Sequence, residues 1–177
     1  MKNIILIGMM GCGKTTVGTL LAQRLQRQLV DTDKLIEARE GLTVSEIFET
    51  MGEPYFRSLE MGVAQALSLR SDLIIACGGG LPLQRGAMAA LKESGVVIWL
   101  NRDPGEIYDH VPMPDRPLAQ EGREAFLQRG AERAEVYETW ADATVNDFTS
   151  PVSTAARVKE AVEAIASWEE NKGGQEQ

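Results

Sequence analysis

Uninterrupted apolar runs of three to six residues alternate along the chain with segments whose apolar residues recur every three or four positions. Continuous apolar runs are typical of strands that are buried on both faces of a parallel sheet, and the longer period is typical of amphipathic helices. The alternation therefore predicts an α/β protein with a mostly parallel, five-stranded sheet between two layers of helices. The predicted strands are residues 3–7, 29–33, 73–77, 95–100 and 143–145.

The helical segments carry local start signals as well as apolar spacing. Thr43 and Glu46 are three residues apart, as in a capping box, and Asp103-Pro104 combines an N-cap residue with a proline at the first helical position. A helix is predicted from Lys14, with further helices over 124–137 and about 155–165.

The domain organisation that these elements predict is simple. Nothing repeats, and no linker is long enough to divide the chain, so residues 1–170 form one predicted domain. Residues 111–122 contain three prolines and are predicted to form a surface loop, and residues 171–177 are predicted to be a flexible tail.

Composition excludes some partners. The 177 residues contain 18 Lys and Arg against 26 Asp and Glu, a net charge of −8, which argues against binding nucleic acid or an anionic membrane. Cys12 and Cys77 are the only cysteines and lack metal-ligand spacing, and the first apolar run is too short for a signal peptide or a membrane span. We therefore expect a cytoplasmic protein, and any anionic ligand must be held by individually placed Lys and Arg side chains.

The first strand leads into the most informative motif of the chain. Residues 8–15 read G-M-M-G-C-G-K-T, which fits the phosphate-loop pattern G-x-x-x-x-G-K-[ST] between a strand and a helix. In such a loop, backbone N–H groups at a helix N-terminus bind phosphate, Lys14 reaches the terminal phosphates and Thr15 binds Mg²⁺. The motif predicts binding of a nucleoside triphosphate without specifying the reaction.

Two further motifs follow predicted strands, and the carboxyl ends of parallel strands should bring them to the same crevice. Asp31 and Asp33 are two residues apart, so strand spacing would place both side chains on one face, one toward Mg²⁺ and one toward a substrate hydroxyl. An acidic turn or a helix cap is the alternative for this pair. Gly78, Gly79 and Gly80 allow close backbone approach to a ligand, the alternative being a flexible turn.

Three arginines are candidates for binding anionic groups. Arg57 and Glu60 are spaced to pair on one helix, which favours either a guanidinium held for a carboxylate or an ordinary exposed ion pair. Arg133 lies on another charged helix, and Arg116 lies in the proline-rich loop, where it could close over phosphates. His110 has no evident partner and is interpreted as a solvated helix-end residue.

In combination, these motifs resemble shikimate kinase, a small family within the P-loop kinases related to nucleoside monophosphate kinases. The resemblance runs from residue 3 to about residue 165 and depends on the order of the motifs. They are residues 8–15, Asp31-Thr32-Asp33, Phe56-Arg57-x-x-Glu60, Gly78-Gly79-Gly80, Arg116-Pro117-Leu118 and Arg133-x-x-x-Tyr137.

The resemblance implies a three-layer αβα P-loop kinase fold and ATP-dependent phosphorylation of the 3-hydroxyl group of shikimate. It implies Asp33, Lys14 and Arg116 as catalytic residues, and Thr15 and Asp31 as the residues that hold one Mg²⁺ ion. ATP would be bound by Gly11, Cys12, Gly13, Lys14, Thr15, Thr16 and Arg116, and shikimate by Asp33, Arg57, Gly79, Gly80 and Arg133. The resemblance also implies that the loop of residues 111–122, which contains Arg116, is a lid that closes over the substrates. A monomer is expected.

The chain departs from the family pattern at Cys77, where Ser or Thr is usual, and in residues 146–151, which lack an arginine that some members place against adenine. Two other functions are considered. A gluconate-type kinase of similar fold is disfavoured by the paired aspartates and the three glycines. A nucleotide-dependent switch is disfavoured because Asn101-Arg102-Asp103 does not match the guanine-binding pattern Asn-Lys-x-Asp.

Overall fold

The apolar runs form five strands, and the predicted α/β sheet is confirmed. All four strand pairings are parallel, so the sheet is wholly rather than mostly parallel, in the order β2-β3-β1-β4-β5. The computed structural model describes residues 2–112 and 122–173. The strands are β1 (Asn3–Ile7), β2 (Gln28–Asp31), β3 (Leu73–Ala76), β4 (Gly95–Leu100) and β5 (Ala143–Val145).

Helices cover both faces of this sheet. Every residue of β1 and β3 is buried, and because successive strand residues point to opposite faces, both faces must be covered. The described residues form eight α-helices: α1 (Lys14–Leu25), α2 (Thr32–Glu40), α3 (Val44–Met51), α4 (Glu53–Ser68), α5 (Arg85–Ser94), α6 (Pro104–His110), α7 (Arg123–Trp140) and α8 (Pro151–Gly173).

The predicted helix starts are largely confirmed. Thr43 accepts a hydrogen bond from the backbone N–H of Glu46 while the Glu46 carboxylate accepts one from the backbone N–H of Thr43, which completes a capping box at α3. Asp103 caps α6 in the same manner, ahead of a proline. The site depends on α3 because one face of that helix forms a wall of the cavity described below.

Several bounds differ from the sequence prediction. Helix α7 is longer than the predicted 124–137, and a single 3₁₀ turn, Leu81–Leu83, separates the three glycines from α5. The last helix continues to Gly173, three residues into the segment predicted as a tail, and residues 174–177 lie outside the described residues. Within the described ranges, none of the helices combines the length and apolarity that crossing a membrane requires.

Candidate active site

The loop between β1 and α1 has the shape of an anion-binding turn. Gly8 has φ 144°, and a Cβ at this position would lie 2.6 Å from the carbonyl oxygen of Leu100, so only glycine fits. Gly13, with φ 103°, ends the loop at the N-terminus of α1, where no side chain caps the helix. The first N–H groups of α1 are therefore left for a ligand, and the helix dipole favours a negative one.

Lys14 is nine-tenths buried beneath this loop. Its Nζ donates hydrogen bonds of 2.8 Å to the carbonyl oxygens of Gly8 and Met9, and it lies 3.8 Å from the Sγ of Cys12. The loop thus holds the lysine ammonium group in place through its own backbone.

The segment Asp31-Thr32-Asp33 contacts three different partners. The hydroxyl of Thr15 donates to Asp31 Oδ2 at 2.6 Å, while Asp31 Oδ1 caps α2 by accepting from the N–H of Lys34. The hydroxyl of Thr32 accepts a hydrogen bond from the N–H of Gly78 at 2.8 Å, which joins this segment to the three glycines. Asp31 therefore caps α2 with one carboxylate oxygen and contacts the Thr15 hydroxyl with the other.

The predicted common strand face for Asp31 and Asp33 is wrong. The strand ends at Asp31, and Asp33 lies in the first turn of α2, so the two carboxylates are related by helix geometry. Capping is the physical reason, because the Asp31 side chain satisfies an N–H group of α2 and so begins the helix at the next residue. Asp33 is 7% exposed, and a Cβ on Gly78 would overlap its carboxylate.

A polar cavity of about 330 Å³, here called the loop cavity, lies over these groups. It brings together most of the residues predicted to bind ATP and metal, and the prediction that three strand ends converge on one crevice is confirmed. Its lining includes Met10, Gly11, Gly13, Lys14, Thr15, Thr16, Asp31, Asp33, Cys77, Gly78 and Gly79, with Val111 and Pro112 at the edge.

A second cavity, here called the arginine pocket, adjoins the loop cavity. Both cavities are lined by Met10, Asp33 and Gly79, so a ligand in each would meet at these residues. The arginine pocket is further lined by Val44, Phe48, Phe56, Arg57, Glu60, Gly80 and Arg133.

Arg57 is held on two sides by carboxylates of its own helix. Its Nη1 donates to Glu60 Oε2 at 2.7 Å, and its Nε and Nη2 donate to Glu53 Oε1 at 3.0 and 2.8 Å. A Cβ on Gly80 would lie 2.5 Å from Nη1 and 3.0 Å from Nη2. Each of these nitrogens carries a second N–H, so the guanidinium keeps two donors on the edge that faces Gly80.

The Arg57–Glu60 contact is not an ordinary exposed ion pair, because Glu60 is only 1% exposed. Burial raises the pKa of Glu60 to about 7, although hydrogen bonds from Arg57 and from Gln84 act to lower it. Burial acts to lower the pKa of Arg57, but the hydrogen bonds and charges of Glu60 and Glu53 outweigh it and raise that pKa. The Arg57 guanidinium therefore stays charged.

Arg133 enters the pocket from α7. It is 6% exposed, and its Nη1 is buried with no hydrogen-bond partner in the described part of the chain. A Cβ on Gly79 would lie 3.5 Å from this nitrogen. An unpartnered buried donor is costly, so this atom indicates an anionic or hydrogen-bond-accepting ligand.

Tyr137 fixes the loop that both arginines face. Its hydroxyl donates to the carbonyl oxygen of Gly79 at 2.7 Å, and burial raises its pKa, so it stays protonated as a donor. Tyr137 lies four residues after Arg133 on α7, which places both side chains on the same side of the helix.

Cys12, one of the predicted site residues, lines neither cavity, and its side chain is 1% exposed. Arg116 lies outside the described residues, as does most of the predicted lid. Burial raises the pKa of the Cys77 thiol, so this residue lines the loop cavity as a neutral group. His110, as predicted, ends α6 with its side chain exposed.

Sequence reasoning missed Val44, Phe48, Thr32 and Gln84. The apolar spacing of Val44 and Phe48 on α3 was visible in the sequence, but such spacing usually indicates core packing rather than the wall of a cavity. The contacts of Thr32 and Gln84 reach residues 46 and 24 positions away along the chain, and no local pattern indicates them.

The comparisons agree with this geometry. A model of the shikimate kinase family matches residues 10–166. A shikimate kinase of Sulfurihydrogenibium sp. is 42% identical over 138 residues, 77% of this chain and 83% of that protein. One of Moorella thermoacetica is 40% identical over 174 residues, 96% of this chain and 97% of the relative.

Solved structures give the same result. The shikimate kinase of Acinetobacter baumannii in complex with shikimate superposes with a TM-score of 0.84 and 35% identity, covering 94% of each chain. A gluconokinase of Sinorhizobium meliloti superposes with a TM-score of 0.54 at 18% identity, covering 99% of this chain and 98% of the gluconokinase. The second similarity shows a shared fold alone.

Proposed function

The chain belongs to the shikimate kinase family, and we propose that it transfers the γ-phosphoryl group of ATP to the 3-hydroxyl group of shikimate. The observation that carries this proposal is the arginine pocket, where Arg57 and the unpartnered Nη1 of Arg133 converge on Gly79–Gly80 beside a cavity suited to phosphates. Two guanidinium groups at one wall fit a carboxylate, which a kinase acting on an uncharged alcohol would not need.

The loop cavity binds the donor in this proposal. The N–H groups of residues 11–16 at the start of α1 bind the phosphates, and Lys14 places a fixed positive charge beside the group that moves. Phosphoryl transfer needs mainly positioning and charge stabilisation, and this cavity supplies both. Arg116 is proposed to add a second charge from the lid, whose closure would exclude water as a competing acceptor.

A divalent metal is expected for an ATP-dependent kinase, and the donor set fits Mg²⁺. Thr15 and Asp31 present a hydroxyl and a carboxylate that are already in contact at 2.6 Å, at the floor of the loop cavity. Mg²⁺ prefers oxygen ligands and commonly takes one or two protein groups, with water and phosphate completing its shell. When bound there, the ion would neutralise phosphate charge.

Asp33 connects the two cavities in the proposed reaction. Among the residues that the structure describes, it is the one carboxylate that lines both, so it can hold the acceptor hydroxyl toward the donor phosphate and accept the proton that this hydroxyl loses. Arg57 and Arg133 meanwhile hold the shikimate carboxylate at the opposite wall. The substrate is thereby bound at two ends, which fixes the direction of its reacting oxygen.

The proposal extends to the setting of the enzyme. We expect a monomer, and a cytoplasmic location fits the two cysteines, which are buried free thiols. The nucleotide-dependent switch is disfavoured further, since family members are kinases, and gluconate remains the competing acceptor because the fold is shared with a gluconokinase.

Thermal unfolding with shikimate or gluconate, each with and without ATP and Mg²⁺, tests the function, together with a coupled ADP-release assay on both acids. A ligand present at about 100 times its dissociation constant stabilises the native state by about 2.7 kcal/mol, so shikimate should raise Tm and gluconate should not. Equal turnover of the two acids would contradict the proposal.

Arg57→Ala tests the carboxylate role directly. Calorimetry should show a large loss of shikimate affinity and near-normal ATP affinity. Equal losses of both would show that Arg57 supports the fold or the donor site rather than the acceptor carboxylate.

A further inference from the structure

Gln84 occupies the N-cap position of α5 without acting as a cap. The N-cap residue is usually a short polar one, whose side chain accepts a hydrogen bond from a backbone N–H of the first helical turn. The Gln84 side chain makes no such bond. Its Nε2 instead donates to Glu60 Oε2 on α4, at 2.6 Å. The side chain is half-buried, and the contact joins the segment after the three glycines to the helix that carries Arg57.

Gln84 contacts the same carboxylate oxygen of Glu60 that holds Arg57. Glu60 Oε2 accepts hydrogen bonds both from Gln84 Nε2 and from Arg57 Nη1. In a carboxylate that is 1% exposed, such donors stabilise the ionised form and oppose the burial that raises its pKa to about 7. The charged groups around it are Arg57 on its own helix, Asp33 on α2, whose charge raises the pKa of Glu60, and Arg133 on α7 in the same pocket.

We propose that Gln84 is a positioning residue for the carboxylate-bearing substrate. Its amide holds the Glu60 carboxylate in the orientation that fixes Arg57 Nη1, which leaves the remaining N–H groups of Arg57 on the edge facing Gly80. This inference rests on the proposed binding role of Arg57. It predicts an effect on the affinity for shikimate and none on the affinity for ATP.

Gln84→Ser separates positioning from helix capping. Serine is a favoured N-cap, so α5 is kept or stabilised, but its side chain is too short to reach Glu60. We expect the KM for shikimate to rise about tenfold, the equivalent of one charge-assisted hydrogen bond, with kcat, the KM for ATP and Tm near their parent values.

Gln84→Glu adds a pH signature that a structural role would not produce. The isosteric carboxylate faces Glu60, and two carboxylates at this distance share a proton as the pH falls. A carboxyl group can then donate as the amide did, and Glu60 of the parent, with a pKa of about 7, also takes up a proton in this range. The ratio of variant to parent KM for shikimate should therefore be largest at pH 8.5 and shrink toward pH 6. Gln128→Glu is the matched control, because Gln128 donates to Glu132 on the exposed side of α7 and should show no such trend.

Each outcome decides the proposal. An unchanged KM for shikimate in Gln84→Ser, a rise shared equally by ATP together with a lower Tm, or a pH-independent ratio in Gln84→Glu would overturn it. If Arg57→Ala also leaves shikimate affinity intact, the proposed acceptor site itself is wrong. If Arg57→Ala abolishes that affinity while the Gln84 variants do not alter it, only the positioning role fails.

Discussion

The loop cavity and the arginine pocket share Asp33 but are built in different ways. The loop cavity is built around one contiguous segment, residues 10–16, and its cation Lys14 is bound by carbonyl oxygens of the same loop. The arginine pocket is formed by side chains of four helices, and Arg133 Nη1 has no partner in the described chain. The cation of the loop cavity is bound by the protein itself, whereas the arginine pocket keeps a guanidinium donor unsatisfied until a ligand arrives.

Replacing Asp33, which lines both cavities, is expected to have the largest effect on catalysis. Asp33→Asn keeps the size of the side chain but removes the proton acceptor, so kcat/KM should fall about 10²-fold or more, as is typical for the loss of general-base catalysis. Steady-state kinetics with both substrates measures it. Near-normal turnover would show that Asp33 only lines the two cavities and takes no part in the chemistry.

The two buried cations should respond oppositely when each is replaced by methionine. Lys14→Met leaves the carbonyl groups of Gly8 and Met9 without their donor, so the ligand-free protein should lose about 1–3 kcal/mol of stability. Arg133→Met removes a buried charge with an unpartnered nitrogen, so stability should be unchanged or higher, while shikimate affinity falls at least about tenfold.

Denaturant unfolding and calorimetry check both variants, with exposed Arg157→Met as the control. A stability loss in Arg133→Met as large as that in Lys14→Met would contradict the distinction between the two cavities.

Gly80→Ala tests how closely the pocket backbone approaches Arg57. The backbone of Gly80, with φ −94° and ψ −14°, accepts any residue, so the only expected consequence is displacement of the guanidinium 2.5 Å from the new Cβ. The KM for shikimate should rise about tenfold, with the KM for ATP unchanged. Gly62→Ala on α4 is the matched control, because a Cβ there meets no atom within 4 Å.

The difference in how the two cavities are built also explains which of their residues the sequence could predict. The loop cavity follows from a contiguous motif between a strand and a helix, and the five strands follow from apolar runs. The arginine pocket could be predicted only through the order of distant motifs, because composition did not distinguish Arg57 and Arg133 from other helical arginines. Asp31 and Asp33 were assigned to one strand face because the helix cap was treated only as an alternative to a site role, although the cap by Asp31 starts α2 at residue 32.

Contacts such as that of Gln84 with Glu60, or of Tyr137 with Gly79, depend on how helices pack. They join residues 24 and 58 positions apart along the chain. No spacing rule within one element indicates them, because the partners lie on different elements brought together only in the folded protein.

The smallest effect is expected from a change at the start of α3, the helix that forms one wall of the arginine pocket. Val44 and Phe48 line the arginine pocket, yet the start of their helix is set by a local capping box. Thr43→Ala should therefore cost about 1 kcal/mol of stability, since it removes an N-cap. Because no charged group in either cavity moves, kcat and both KM values should remain at parent levels. A raised KM for shikimate without loss of stability would show that the pocket wall depends on a local signal as directly as the loop cavity does.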